Sequence, residues 1–511
     1  MLSSEWQKLQ NGSDIRGIAL DGVAGEKVNL TGDTAHTIAL AFGAWLGKLK
    51  NKPADELTIA VGHDSRLSAP ALKREVIRGL SETGCRVFDC SLASTPAMFM
   101  TTVTPGYEYD GSIMITASHL PFNRNGLKFF TKDGGLEKKD ITAILTLAEQ
   151  GGFPIPEKLG DVQEVDFISV YANILVEKIR RSVNHPRDYR EPLKGFKIVV
   201  DAGNGAGGFF AAKVLKPLGA DTAGSQFLEP DGSFPNHIPN PENSAAMESI
   251  SQAVLNSKAD LGIIFDTDVD RASAVDQNGK EINRNRLIAL MAAIVLEEHP
   301  GSAIVTDSVT SSGLKTFIEN LGGVHHRFKR GYKNVINEAI RLNSQGTASE
   351  LAIETSGHGA LKENFFLDDG AYLVAKIIIK MAGLQLKNNL TLDHLIESLE
   401  EPLESKEFRF NILMDDFKPY GEKVLQDLQN HAPTLPGWKV EPNNYEGIRV
   451  SFGKEDGDGW FLLRMSLHDP LMPLNIESNS NGGVKRIATA LLPFLTQYGQ
   501  LDLMPLKTYL K

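Results

Sequence analysis

Three aspartates stand at alternate positions directly after an apolar run. The run Leu261–Phe265 leads into Asp266, Asp268 and Asp270. Three carboxylates at this spacing can converge on one hard cation, and oxygen ligands suit Mg²⁺ or Ca²⁺. An EF-hand is excluded, because Arg271 stands where that motif requires glycine. The alternative is a solvated acidic turn. It is disfavoured because the apolar run directly before the aspartates is expected to be buried. We therefore expect a cation site, with Mg²⁺ favoured if the substrate carries phosphate.

A serine and a histidine follow a second apolar run. Residues 112–115 lead into Thr116, Ala117, Ser118 and His119. A serine at a strand end can be a nucleophile, and His119 and Lys128 can supply a base, an acid or a positive charge. A hydrolase triad is disfavoured. Ser118 lies in no G-x-S-x-G elbow, and neighbouring side chains on a strand point to opposite faces, so His119 is expected to pair poorly with it.

Together, the serine loop and the aspartates favour phosphoryl transfer over hydrolysis. Such chemistry needs positioning, a divalent cation and cationic clamps. Taken alone, a Ser-His dipeptide is more often ordinary loop polarity.

Two further loops offer groups that bind sugars and phosphates. Glu354, Ser356 and His358 combine a carboxylate, a hydroxyl and an imidazole, which can hold sugar hydroxyls, and the imidazole can also face a phosphate. Arg464 close to Ser466 could clamp a phosphate. Each loop alone is equally consistent with an ordinary surface loop.

Lys333 lies in a locally basic segment of an otherwise acidic chain. It follows Lys329 and Arg330 within the sequence Gly331-Tyr332-Lys333-Asn334. This segment too could be a surface loop.

A glycine pattern at Gly203, Gly205 and Gly208 follows another predicted strand and matches the dinucleotide-binding fingerprint. Asp221 stands at a suitable distance downstream, which keeps a dehydrogenase open as an alternative. The pattern is weak by itself, and a glycine-rich turn between a strand and a helix is the simpler interpretation.

Short apolar runs separated by helical segments must position these loops. The runs lie at residues 57–61, 112–115, 196–200, 261–265, 303–305 and 351–353, and helices are expected at 69–83 and 286–298. Runs without alternation predict buried, largely parallel strands, and ligands bind beyond the carboxyl ends of such strands. Residues 447–452 and 460–467, joined by a Gly/Asp-rich segment, predict a terminal hairpin. The acidic segment 399–406 is a candidate linker.

Composition narrows the class of protein. The 511 residues contain 53 Lys and Arg against 64 Asp and Glu, a net charge of −11, which disfavours nucleic-acid binding. Two cysteines are too few for a disulfide framework. The longest apolar run, residues 287–296, is too short for a membrane span. We expect no membrane partner and a cytoplasmic location, with a plastid as the alternative if a transit peptide has been removed.

These loops together resemble the α-D-phosphohexomutase family of phosphoglucomutases, phosphomannomutases and phosphoglucosamine mutases. The resemblance spans essentially the whole chain, with the motifs in the family's order at residues 13–17, 61–68, 116–121, 266–271 and 354–358. Ser13 replaces the usual aromatic residue, Leu120 the usual asparagine, and Ile353 a glycine.

The resemblance implies an α/β protein of four domains around a central cleft. Three would be similar mixed α/β sandwich domains, and the C-terminal one α+β. The expected boundaries give domains at residues 1–165, 166–280, 281–402 and 403–511.

The resemblance also implies residue roles. Ser118 would carry a phosphoryl group and bind Mg²⁺ together with Asp266, Asp268 and Asp270. The groups that surround the transferring phosphoryl group and move protons would be Arg16, His119, Lys128 and His358. The substrate would be held by Lys333, Glu354, Ser356, Arg464, Ser466, His468 and Arg271. Small hexose phosphates would be the partners and a hexose 1,6-bisphosphate the activating phosphoryl donor, with the chain a monomer or a homodimer.

The C-terminal phosphate loop departs from the family pattern. Leu467 and His468 replace a usual Asn-Thr pair, and Pro473, which has no backbone N–H, replaces a usual arginine. Loss of one charge-assisted hydrogen bond removes about 1.5–3 kcal/mol, enough to weaken phosphate binding roughly ten-fold.

Three functions therefore stay open. The first is a mutase acting on glucose or mannose phosphates. The resemblance of residues 331–333 and 356–358 to glucose- and mannose-type enzymes favours these sugars over glucosamine phosphate. The second is a glucose 1,6-bisphosphate synthase that loads Ser118 from another bisphosphate such as fructose 1,6-bisphosphate. The third is a catalytically silent sugar-phosphate-binding protein, which the apparently full set of catalytic residues disfavours.

Overall fold

The computed structural model describes residues 2–154, 156, 158–466 and 469–511. They form two compact units, the first of Met1–Leu287 with Ser356–His394 and the second of Ile288–Thr355 with Leu395–Lys511. Four sheets supply the framework, and they are described in chain order.

The first sheet, in the first unit, is mixed. Its strands run in the order β1-β2-β6-β5-β3-β4-β8, with β7 paired to β6. The strands are β1 (Gln10–Asn11), β2 (Asp14–Ile18), β3 (Thr58–His63), β4 (Arg86–Leu92), β5 (Gly111–Ile115), β6 (Arg124–Thr131), β7 (Gly134–Gly135) and β8 (Val162–Glu164). The helices of this region are α1 (Ser4–Gln7), α2 (Gly32–Lys50), α3 (Ala69–Glu82), α4 (Thr95–Met100) and α5 (Lys138–Gln150).

Strand pairing in this sheet brings two of the sequence motifs to one edge. β3 and β5 are parallel, with His63 opposite Ile115, so the loops that follow them leave the sheet side by side. β6 returns antiparallel to β5 and places Lys128 opposite Met114. β2 places Arg16 opposite Gly126 of β6. The apolar core beneath is built from α2, α3, α5 and the sheet, and includes Phe42 against Phe129 with ring centroids 4.8 Å apart.

The second sheet, also in the first unit, has the order β12-β11-β10-β9. Its strands are β9 (Ile198–Asp201), β10 (Leu261–Phe265), β11 (Ala272–Asp276) and β12 (Glu281–Ile282), with helices α6 (Phe167–Val183) and α7 (Ser244–Ser257). Every residue of β10 is buried, as expected for an apolar run without alternation. β10 is parallel to β9 and antiparallel to β11, so the aspartate loop is the turn that joins β10 to β11.

The third group of strands lies in the second unit, where β13 (Ala303–Thr306) is parallel to both β14 (Val324–Arg327) and β15 (Ser349–Ile353). Its helices are α8 (Asn285–Glu298), α9 (Ser312–Asn320) and α10 (Tyr332–Ser344). The chain then returns to the first unit as the antiparallel pair β16 (Gly359–Leu361) and β17 (Leu367–Asp368), followed by α11 (Gly370–Asn388). α11 packs against α6 and β11.

The fourth sheet, in the second unit, is fully antiparallel with the order β18-β22-β21-β20-β19. Its strands are β18 (Glu404–Asn411), β19 (Lys439–Val440), β20 (Ile448–Phe452), β21 (Gly459–Leu463) and β22 (Leu471–Ser478). Helices α12 (Phe417–His431), α13 (Gly483–Leu495) and α14 (Met504–Leu510) cover it and close an apolar core of their own. This α+β arrangement and the three α/β regions before it confirm the predicted fold class.

Two of the sequence predictions need correction. The strand expected at 460–467 ends at Leu463, and β18 begins inside the segment 399–406, the candidate linker. The expectation that the six apolar runs form largely parallel strands is confirmed, because β3 is parallel to β5, β9 to β10, and β13 to β15. Antiparallel strands such as β6 come from segments outside these six runs. The domain boundaries 1–165, 166–280, 281–402 and 403–511 stay predictions.

The glycine pattern after β9 serves internal packing. A Cβ on Gly205 would lie 2.6 Å from the backbone oxygen of Thr267, and one on Gly208 would lie 2.2 Å from that of Leu228. These glycines approach their own chain, as a glycine-rich turn between a strand and a helix does. The dinucleotide alternative has no support from this geometry.

Among the described residues, no helix combines the length and the apolar character that crossing a bilayer requires.

Replacing Gly205 by alanine should destabilise the first unit. The new methyl group would clash with the backbone of Thr267, and overpacking of this kind costs about 1–3 kcal/mol. Gly383→Ala in α11 is the control, because nothing lies within 4 Å of the added Cβ and alanine favours a helix by about 0.5–1 kcal/mol. Thermal unfolding should show a lower midpoint for Gly205→Ala only, and equal midpoints would contradict the packing argument.

Candidate active site and metal centre

The aspartate loop is fixed from three sides by backbone hydrogen bonds. Its carbonyl groups accept from distant N–H groups: Ala206 to Thr267 (2.8 Å), Thr95 to Asp268 (2.8 Å) and Gly370 to Val269 (3.1 Å). Val269 is fully buried and has a φ of 66°, a left-handed conformation that is unfavourable for a β-branched residue. With the carbonyl groups turned outward to these donors, the three carboxylates face one another.

The carboxylates of Asp266, Asp268 and Asp270 form a compact cluster in the interior. One ligand atom of each lies within 4.8 Å of the others, and all three residues are buried. Among the described residues, Oδ1 of Asp268 and Oδ1 of Asp270 have no hydrogen-bond partner. Buried anionic oxygens without a donor fit a hard cation, so the donor set suits Mg²⁺.

Positive side chains offset part of this buried charge. Lys128 Nζ lies 3.1 Å from Asp268 Oδ2 and also pairs with Asp270. Burial raises the pKa of Asp270, but Lys128, His358 and Arg271 outweigh that effect and hold it below its ordinary value.

Asp266 shifts in the opposite direction. Burial, followed by the negative charges of Asp270 and Asp268, raises the pKa of Asp266 well above its ordinary value. One carboxylate of the cluster therefore tends to hold a proton when no cation is bound.

Ser118 lies against this cluster. Its Oγ donates to Asp266 Oδ2 at 3.0 Å and lies 3.3 Å from His119 Nδ1. The expectation that His119 would pair poorly with Ser118 is thus wrong. Ser118 has left the strand and has a φ of 50°, so the alternation of side chains no longer applies.

His119 places an uncharged imidazole beside the serine. Burial lowers its pKa to about 2, and the positive charges of Arg271, Arg16 and His358 act in the same direction. At neutral pH its imidazole therefore carries no charge. Arg16 lies on β2 with its guanidinium 3.1 Å from Asp14.

A buried arginine that the motif analysis did not single out shapes the serine loop. Arg66 is 1% exposed, and its guanidinium donates to four backbone carbonyl groups, those of Ser118, Leu120 (2.6 Å), Pro121 (2.9 Å) and Arg124 (3.0 Å). Its Nε lies 3.4 Å from Asp64, which also accepts a hydrogen bond from Thr116 at 2.6 Å. The sequence signal was an aspartate and an arginine after β3, within the family-like segment 61–68.

His358 lies between Arg271 and Asp368. Arg271 Nε donates to His358 Nε2 at 2.8 Å, and His358 Nδ1 is in close contact with Asp368 Oδ2. Because Nε2 accepts, the proton of a neutral imidazole must be on Nδ1, facing Asp368. Arg271 also lies 3.7 Å from Glu242 and 3.9 Å from Asp266. No sequence motif indicated Asp368, which lies in β17, after the loop that carries Ser356 and His358.

The remaining predicted substrate residues are distributed over both units. Ser356, in the first unit, is buried. In the second unit, Glu354 directly follows β15 and accepts a hydrogen bond from Gly331 N at 2.6 Å, and Lys333 lies in the first turn of α10.

Arg464 and Ser466 follow β21 in the second unit. Arg464 is buried, and Ser466 Oγ accepts a hydrogen bond from Asp469 N at 3.2 Å. His468 and its neighbour Leu467 lie outside the described residues.

Loss of one carboxylate should weaken cation binding. Asp268→Asn is expected to lower the affinity for Mn²⁺ or Mg²⁺ by roughly ten- to a hundred-fold. Mutating a residue that only hydrogen-bonds to a metal ligand already causes a loss of this size. Asp221→Asn is the control, because it removes the same charge from an exposed position. Isothermal titration calorimetry measures both, and equal affinities would exclude the aspartate loop as the cation site.

Cation binding should also weaken in acid. Because the pKa of Asp266 is raised in the metal-free protein, a cation must displace a proton, so affinity should fall as the pH falls through that raised pKa. Calorimetry in buffers of different ionisation enthalpy should detect the released proton, and Asp266→Asn should abolish the release. A buffer-independent enthalpy in the unaltered protein would contradict this assignment.

The chain matches known proteins over most of its length. It matches three family models for phosphoglucomutase/phosphomannomutase, alpha/beta/alpha domains I, II and III, at residues 7–154, 174–279 and 283–402. A phosphoglucomutase of Neisseria gonorrhoeae is 32% identical, over 91% of this chain and 93% of that protein. A phosphomannomutase/phosphoglucomutase of Pseudomonas putida is 30% identical, over 93% of this chain and 94% of that protein.

A solved structure extends the match to the fold. The crystal structure of a phosphoglucomutase/phosphomannomutase family protein from Burkholderia thailandensis superposes with a TM-score of 0.76, at 26% identity and over 98% of both chains. Together with the motifs and the buried cluster, these similarities show that the chain belongs to the α-D-phosphohexomutase family of phosphoglucomutases and phosphomannomutases.

Proposed function

We propose that the chain interconverts hexose 1-phosphates and hexose 6-phosphates by phosphoryl transfer through Ser118, with glucose or mannose as the sugar. The observation that carries the proposal is the hydrogen bond of Ser118 Oγ to Asp266 within a buried cluster of three carboxylates. A hydroxyl beside a candidate cation site is the arrangement that phosphoryl transfer requires. The names of the relatives from Neisseria and Pseudomonas support the same substrate class.

The reaction has two halves. In the first, the bond between phosphorus and Oγ of phosphorylated Ser118 breaks, and a bond forms to the free hydroxyl of the hexose phosphate, whose proton passes to a base. The product is a hexose 1,6-bisphosphate. In the second half Oγ takes the other phosphoryl group, and the sugar oxygen that is released takes up a proton. A hexose 1,6-bisphosphate supplies the first phosphoryl group to unmodified Ser118.

The chain's own side chains supply the charges and proton carriers. His358 is proposed to exchange the proton of the sugar hydroxyl, since Arg271 and Asp368 fix the orientation of its ring. His119 supplies a neutral imidazole beside Oγ. Lys128 and Arg16 are proposed to offset the negative charge of the transferring group. Mg²⁺, held by the three aspartates and the phosphorylated serine, would supply further electrostatic stabilisation.

Recognition of the rest of the substrate is assigned to separate loops. Glu354, Lys333 and Ser356 are proposed to orient the sugar. Arg464, Ser466 and His468 are proposed to hold the phosphate that is not reacting, with Arg271 contributing a further positive charge. The monomeric or homodimeric state and the cytoplasmic or plastid location stay predictions.

A glucose 1,6-bisphosphate synthase is the second candidate, and one observation favours it. Pro473 lies in β22, where its carbonyl group accepts from Arg464 N at 3.1 Å while its ring nitrogen has no hydrogen to offer. A weaker phosphate clamp would let the bisphosphate leave before it reorients.

Removing the hydroxyl of Ser118 should abolish turnover. Ser118→Ala is expected to lower kcat by at least about a thousand-fold, because the residue that carries the phosphoryl group is lost. Intact-mass spectrometry of the unaltered, turning-over protein should show one added phosphoryl group, absent from the variant. Ser65→Ala is the control, because the Ser65 Oγ has no hydrogen-bond partner among the described residues and lies in the neighbouring loop.

Phosphorus NMR with glucose 1-phosphate separates the candidate functions. A mutase forms glucose 6-phosphate with only traces of bisphosphate, whereas a synthase accumulates glucose 1,6-bisphosphate when fructose 1,6-bisphosphate is added. Unchanged turnover in Ser118→Ala would refute both, and no turnover by either protein would leave the silent binding protein.

A further inference from the structure

Arg464 is buried, and among the described residues only some of its donors have a close partner. Its side chain is 9% exposed, and its Nη1 lies 3.6 Å from Glu446 Oε1, beyond hydrogen-bond distance. Nη1 donates to the carbonyl group of Met465 at 3.3 Å. Among the described residues, the Nε of Arg464 has no hydrogen-bond partner. A buried guanidinium in this state is suited to an anionic ligand.

Arg330 converges on the same carboxylate from the loop before α10. Its backbone N donates to Glu446 Oε2 at 3.1 Å, and Ser308 Oγ donates to that oxygen at 2.5 Å. The Nε of Arg330 lies 3.8 Å from Asp307 Oδ2. Glu446 therefore ties the backbone of Arg330 and the guanidinium of Arg464 together.

The two arginines act on each other electrostatically. Burial lowers the pKa of Arg464, Glu446 raises it, and the positive charge of Arg330 lowers it again. The neighbouring carboxylates thus do not fully compensate the guanidinium. A bound dianion would compensate both positive charges at once.

We propose that Arg330 is a second phosphate-binding arginine, which together with Arg464 holds the non-reacting phosphate dianion of the hexose phosphate. The identity of that phosphate as part of a hexose phosphate rests on the proposed function. Arg330 supplies, from a different element, a positive charge that Pro473 cannot supply. In the sequence, Arg330 stands out only as part of a basic segment.

The position of Arg330 also links phosphate binding to sugar binding. Its neighbour Gly331 donates from its backbone N to Glu354 Oε1 at 2.6 Å and has a φ of 107°. One short backbone turn thus contacts both the carboxylate assigned to the sugar and the carboxylate beside Arg464. Retention of the bisphosphate by two arginines favours the mutase over the synthase.

The test uses the full chain and two adjacent charge deletions. Arg330→Met should raise the Kd of inorganic phosphate, measured by calorimetry at low ionic strength, by about ten-fold or more, the effect of losing a charge-assisted hydrogen bond. Lys329→Met is the matched control, because Lys329 is the exposed neighbour with its Nζ 5.9 Å from the Phe328 ring centroid, and its Kd should change less than about two-fold. Arg330→Lys, which keeps the charge but loses the forked donors, should be intermediate.

Kinetics supply the second readout. Arg330→Met should raise the KM for glucose 1-phosphate and increase the free glucose 1,6-bisphosphate released per turnover, while Lys329→Met should do neither. Equal phosphate affinity in Arg330→Met and the unaltered protein, or equal losses in the two methionine variants, would overturn the proposal.

Two controls distinguish loss of the two-arginine site from misfolding of the variant and from failure of the proposed function. If Arg330→Met does not fold, Arg330→Lys decides, and phosphate binding unchanged from the unaltered protein would count against the assignment. Weaker phosphate binding in the arginine variants of a protein that turns over no sugar phosphate would refute the proposed function and leave the two-arginine site standing.

Discussion

The concentration of negative charge in a dry interior is the constraint that organises the first unit. Asp266, Asp268 and Asp270 repel one another, and burial removes the water that would screen them. Lys128 and Arg271 reduce this cost without removing it, because buried carboxylate oxygens still have no donor among the described residues. A site of this kind is stable only if the surrounding backbone leaves the carboxylates no alternative position. The three carbonyl contacts of the loop provide that restraint.

Ser118 is held beside the same three aspartates by a different interaction. A loop cannot bury its carbonyl groups without donors, and Arg66 supplies donors to four of them at once. The guanidinium is in turn held by Asp64, so a pair of buried charges fixes the path of the loop that carries Ser118. Breaking such a pair by removing one partner usually costs about 3–5 kcal/mol. The position of the Ser118 hydroxyl therefore depends on the edge of the first sheet as well as on its own loop.

Features that depend on neighbouring residues can be predicted from the sequence. The apolar run Leu261–Phe265 is a strand with the same bounds, and the aspartates that follow it do converge. Contacts between residues far apart in the chain cannot be predicted in this way. Asp368 reaches His358, and Arg66 reaches the serine loop, through pairings that only the folded sheets create. The predicted orientation of His119 is also wrong, because it assumes a strand conformation that Ser118 does not have. Arg330 belongs to the same class, because nothing in its own segment indicates Arg464 as a neighbour.

The left-handed backbone of Val269 has a consequence for how this loop can vary. A branched side chain in that conformation costs of the order of 1–3 kcal/mol, which its neighbours must offset. Glycine would remove the penalty, yet it would also enlarge the set of shapes open to the unfolded chain and lose the buried isopropyl group. The valine therefore makes the loop more rigid than glycine would, and this rigidity limits the positions that the three carboxylates of the candidate cation site can take.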